Sequence, residues 1–224
     1  MTLLEKAERP QRKSKGLPAL IVATLGTLGI VAFQFFGSRQ LRGLDMVLLF
    51  LVLGFAAYGI MNTIIRGLTT AVALYVATGM AASFYPLLRP YARSILNIIA
   101  MNFGPGKPVI AGADYSALAL SFAFITVILW IGLEALFRFF VPATHLSFLG
   151  PVDRVAGALV YLVIGILVAA LLFSTLGYGT GRAAHNKASL RPEFNQVMKL
   201  YYQGQSFWFP RRPPGIYIYD LDLR

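Results

Sequence analysis

Glu134 is the only acid well inside a long apolar run of this chain, and an ionisable group at such depth is a candidate for ion or proton transfer because of what it costs to insert. Arg138 follows one helical turn later on the same face, so the two also read as an internal pair whose arginine reaches toward the headgroups. The structural pair is the simpler reading, beside an ion or proton role and a contact with another protein. Asp45 and Asp153 each stand at the start of an apolar run, where a carboxylate caps free helix amides and complements the positive end of the dipole. Arg154 is placed to meet phosphate headgroups at the same level.

The remaining reactive side chains are sparse. His145 and His185 fall outside the apolar runs and read as surface residues, so no histidine stands at bilayer depth to ligate haem or chlorophyll. The chain has no cysteine, which removes disulfides, thiolate metal sites and thioether haem attachment. Thr175 to Gly179, TLGYG, looks like a potassium-channel filter. A full apolar run precedes it and a polar tail follows, however, so its glycines are expected to end a helix instead. Phosphate-binding, dinucleotide, HExxH and GxSxG patterns are all missing, and the expectation is a protein that is not an enzyme, with no cofactor and no metal.

The elements that carry these residues follow from composition. Of 224 residues 57% are hydrophobic and 13% charged, about half the charge of a soluble domain, so only a bilayer solvates the chain. At about 20 apolar residues per crossing, five segments qualify: Leu17 to Phe36, Met46 to Ile65, Leu68 to Leu88, Ala117 to about Leu136, and Val155 to Leu176. In lipid each must be helical, because an unpaired backbone amide there costs several kcal/mol. The fold class is therefore all-α, a polytopic membrane protein of about five transmembrane helices. Arg66 and Gly67, between the second and third runs, are expected to form a tight hairpin turn. YARSILNIIAMNF, after Pro90, is expected to lie in the interface. Small residues permit close helix approach, which points to Ala73, Ala77 and Ala81 of the third span and to Gly157, Gly165 and Ala169 of the fifth as the packing core.

Both ends extend beyond the spans. Residues 1–16 form a basic arm, and the run after it is too long, and lacks the small-residue site, to be a cleaved signal. Lysines and arginines near the spans tie between the two faces; the dense first cluster favours a cytoplasmic N-terminus and, by odd parity, a tail on the other side. Residues 178–224 form an aromatic and basic tail outside the membrane. Its Tyr201, Tyr202, Phe207, Trp208 and Phe209, with Arg211 and Arg212, suit an interfacial belt or a partner-docking surface. Tyr217 and Tyr219 alternate with Ile218 and Asp220, a pattern suited to an added strand on another subunit. The net charge of +11 thus serves anionic headgroups and other membrane subunits, and no folded domain is present to read nucleic acid.

The run Leu149 to Gly165, LGPVDRVAGALVYLVIG, resembles the signature of the colicin V production protein (CvpA) family, an L-G-x-x-D-R-x-x-G element before the last span. Asp45 opening an early span, Gly59 fourteen residues on, and Arg66-Gly67 are similar to that family's beginning. The resemblance covers residues 44–177 and carries Asp45, Gly59, Gly150, Asp153, Arg154, Gly157 and Gly165; the span at 17–36 and the tail lie outside it. Tyr161 and Ile164 depart from the family pattern. What the resemblance implies is a bacterial inner-membrane location and a link to bacteriocin production or export, without a defined transport or catalytic activity. Three functions compete on this footing: an accessory scaffold, a structural subunit of a large bioenergetic or photosynthetic complex, and a small transporter or channel.

Overall fold

The computed structural model describes residues 16–37, 39–103, 113–140, 151–177 and 182–208. The arm, the 104–112 and 141–150 connections, and the end of the tail lie outside the described residues. Seven helices follow in order: α1 Gly16–Phe36, α2 Gly43–Ile60, α3 Ile64–Phe103, α4 Ala113–Phe140, α5 Pro151–Leu176, α6 Arg182–Lys187 and α7 Arg191–Trp208. Among the described residues no strand occurs, and α1 to α5 are each long and apolar enough to cross a bilayer. At 1.5 Å per residue α1 is about 31 Å long, matching the hydrocarbon thickness.

The spans form a row rather than a closed ring. α2 packs chiefly on α5 and on α1, α3 packs chiefly on α4, and a smaller α3–α5 contact joins the two pairs. The expectation that the third and fifth helices form the main core pair is thus replaced by two pairs. Ala73, Ala77, Ala81 and Ala169 are nevertheless completely buried. The α2–α5 crossing is close because it is lined by glycine. A Cβ on Gly157 would stand 2.6 Å from the Asn62 carbonyl oxygen and 2.9 Å from that of Gly59. One on Gly59 would meet Ala158 Cα at 2.8 Å, and one on Gly165 would meet Phe55 Cβ at 2.8 Å. The contacts 59–157 and 55–165 make α2 and α5 antiparallel, with Gly43 and Leu176 at one end and Ile60 and Pro151 at the other.

Three local expectations change. The α2–α3 turn is at Met61 to Thr63, because Asn62 bonds the Tyr58 carbonyl through Nδ2 at 2.7 Å and its own amide bonds the Gly59 carbonyl at 3.0 Å. The free carbonyls of α2 are satisfied there, so Arg66 and Gly67 fall inside α3. The interfacial segment after Pro90 is a continuation of α3: Pro86 and Pro90 each withdraw one amide from the ladder without ending the helix. Finally, part of the tail folds back. Phe194 and Met198 of α7 are buried with the spans, and Phe194 stacks on Phe173 of α5 at 5.2 Å.

Gly157→Ala should force α2 and α5 apart and destabilise the bundle by about 1–3 kcal/mol. Gly54→Ala, where an added Cβ meets nothing within 4 Å, should be neutral or raise stability slightly. Thermal unfolding of both variants in detergent distinguishes them; equal effects would mean that the crossing is not set by glycine.

Candidate functional site

Asp45 and Asp153 are the two buried aspartates among the described residues, at 0% and 4% exposure. Each lies in the first turn of its span, and each serves a helix other than its own. Asp45 Oδ2 accepts the Arg42 amide at 2.9 Å, which caps α2, and also the Ser189 amide at 2.9 Å. Its Oδ1 accepts the Leu190 amide at 3.1 Å, just ahead of α7. Asp153 Oδ1 accepts the Ile64 amide at 3.0 Å, the first residue of α3. The carboxylate on α2 therefore starts α7, the second helix after α5, and the carboxylate on α5 starts α3, the helix that follows α2. These bonds stand at opposite ends of the α2–α5 pair. Asp45 caps its own helix as its position led one to expect, whereas the bond of Asp153 is to the start of α3, and the distant partners of both come only from the packing.

A second polar group gathers where α2 and α4 end and α3 and α5 begin. Arg138 Nε bonds Glu134 Oε1 at 3.2 Å, the expected pair, with the acid side chain 15% exposed and the arginine 54%. The other oxygen, Oε2, accepts the Thr70 hydroxyl of α3 at 2.8 Å, and Tyr161 Oη lies 3.3 Å from the same hydroxyl. With Thr70 donating to Glu134, Tyr161 donates to Thr70, so one directed chain links α5, α3 and α4. Tyr161 stacks edge-on against Tyr58 at 5.2 Å, and Tyr58 stands beside Arg138. Tyr161 is thus a centre of this group. Neither it nor Thr70 carries a signal in the sequence that distinguishes it from an ordinary span residue.

α7 supplies a third group. Tyr201 Oη and Thr78 Oγ1 are 2.6 Å apart, Gln205 Nε2 donates to Thr78 Oγ1 at 2.8 Å, and Tyr75 Oη donates to the Gly204 carbonyl at 2.8 Å. Burial pushes the Tyr201 hydroxyl above the ordinary 10.0, the Thr78 bond drawing it partly back. Tyr201 is therefore engaged within the chain rather than held free for a partner, while Phe207 and Trp208 remain 81% and 71% exposed. Tyr202 is half-buried. His185, expected on the surface, is buried and stacks on Phe173 at 4.1 Å. Arg154 is exposed as expected, and α5 stops at Leu176 just before Gly177. Gly150, Phe209, Arg211, Arg212, Tyr217, Tyr219 and His145 lie outside the described residues. Among the described residues no cluster of histidine and carboxylates has the makings of a metal site.

Asp45→Ala should leave three part-buried amides without their acceptor and lower stability by about 1–3 kcal/mol. The change should also expose the α6–α7 junction to trypsin at Lys187. An unchanged digestion pattern would show that α7 docks without this carboxylate. The Tyr201 hydroxyl gives a pH dependence of known sign. Its proton is held more tightly when docked, so docking is level through neutral pH and weakens as pH rises past 10. Tyr201→Phe should flatten that alkaline loss, followed by proteolysis or by amide exchange in α7.

No curated protein and no solved structure matches this chain. A family model does, that of the colicin V production protein, over residues 44–197. The match begins at α2, takes in both capping aspartates and the glycine crossing, and continues past Gly177 through α6 into α7. With five apolar spans and this match over more than half its length, the chain is a multi-pass membrane protein and belongs to the colicin V production protein family.

Proposed function

We propose that the protein is a non-catalytic scaffold of the bacterial inner membrane, acting through protein contacts in the production or export of a bacteriocin. The observation that carries this reading is the end of α7. The helix is docked along one side by Phe194, Met198 and Gln205, yet it presents Phe207 and Trp208 almost fully exposed. Large aromatic side chains dominate binding hot spots, and a helix already satisfied on its inner face has no internal use for them. Its buried carboxylates support the same reading, since their oxygens are engaged by backbone amides and by Thr70 and Arg138. The same surface suits a structural subunit of a larger membrane complex, which is a scaffold with fixed partners. A transporter in which Glu134 carries an ion has less behind it, because both oxygens of that carboxylate are already bonded.

The test is co-purification in mild detergent followed by mass analysis of the wild type and of a Phe207→Ala, Trp208→Ala double variant. The variant should stay in the membrane with α7 docked, because Tyr201 and Gln205 are untouched, and should lose stoichiometric partners. Partners retained in full by the variant, or a wild type that purifies alone and monodisperse, would overturn the proposal.

A further inference from the structure

The end of the bundle that holds Glu134 carries more positive charge than its own acids balance. α3 and α4 run antiparallel, with Thr70 bonded to Glu134 between them. Arg66 lies one turn outward from Thr70 on the same face of α3, and Arg138 lies one turn outward from Glu134 on α4. Both arginines therefore stand at the outer end of the α3–α4 contact. Arg138 is paired with Glu134. Arg66 has no ion pair among the described residues, and its Nε is buried without a hydrogen-bond partner. The Arg66 carbonyl accepts from the Thr70 hydroxyl at 2.9 Å, which sets this residue one turn from the Tyr161–Thr70–Glu134 group.

The other charged groups at this end do not neutralise it. Asp153 is buried on the Ile64 amide, and Arg154 beside it is exposed. Three arginines thus face two carboxylates, and Arg66 sits in the first turn of α3, where the helix dipole adds to its charge. A guanidinium cannot shed its proton, so partial burial demands a counter-anion. The planar forks of two arginines match a tetrahedral oxyanion, and they stand at the level where spans α2 and α4 end.

We propose that this end of the α3–α4 pair is a specific phosphate-anion site, held by Arg66 and Arg138, that takes the phosphodiester of a glycerophospholipid or a free phosphate of the same chemistry. Arg66 is the principal binding residue, and Glu134 orients Arg138.

The site is tested on the full chain, purified in phosphate-free non-ionic detergent and titrated with dioctanoyl phosphatidylglycerol under native mass spectrometry, with dioctanoylglycerol as the phosphate-free control. One lipid should bind saturably. Arg66→Gln should weaken it about tenfold, the scale of a lost charge-assisted contact. Arg138→Gln should weaken it as well, which keeps the test open if the Arg66 variant folds poorly, and Arg154→Gln should leave it unchanged. Inorganic phosphate alone, binding with the same arginine dependence and displacing the lipid, would assign the site to a soluble anion. Lipid binding undisturbed by phosphate would assign it to the membrane. Equal losses in the Arg66 and Arg154 variants, equal binding of dioctanoylglycerol, or no saturable binding would overturn the proposal.

Discussion

A chain that turns at the edge of a bilayer must satisfy the amides that begin each new helix, and in this protein two buried aspartates do so across the fold. Asp45 holds the start of α7 and Asp153 the start of α3, each from the first turn of a different span. The arrangement depends on the α2–α5 crossing, since only when those helices lie antiparallel and close does Asp45 reach the start of α7 and Asp153 the start of α3. Glycines at 59, 157 and 165 make that approach possible, because side chains at the crossing would press against the opposing helix. Helices in lipid gain little from apolar contact with one another, so close approach and a few buried hydrogen bonds must supply the specificity that burial supplies in water.

The return of α7 onto the spans follows from the same constraint. Its start is pinned by Asp45, its inner face is filled by Phe194 and Met198, and its far end is tied to α3 through Tyr201 and Gln205. The surface ion pair of Arg39 with Glu193, at 2.6 Å but with both side chains about half exposed, adds little to this because it is screened. What is left outward on α7 is polar along its length and aromatic at its end, a division between a docked face and a displayed one.

Much of the site was legible before any fold was known, and the reasons differ by residue. Glu134 with Arg138 could be read directly, because a pair four apart on a helix is fixed by local geometry. Thr70 and Tyr161, which complete the group, come from spans 64 and 27 residues away and look like ordinary span residues, so only packing reveals them. Arg66 was read as a turn residue; in the folded chain Asn62 makes the turn, which moves Arg66 to a half-buried position in α3. His185 was read as exposed for want of any signal that α6 would fold under Phe173.

Composition and spacing by themselves determined the solvent and the number of spans, because bilayer thickness, helical rise and the cost of unpaired amides leave a long apolar run one form. The tertiary structure decided which helices pair, where α7 lies, and which amides each buried aspartate serves. Those outcomes depend on contacts between residues far apart in the chain, as between Asp45 and Leu190, whose types are compatible with many neighbours. Apolar spans are chemically alike on every face, and only close-packed glycine and a handful of hydrogen bonds select one arrangement among them.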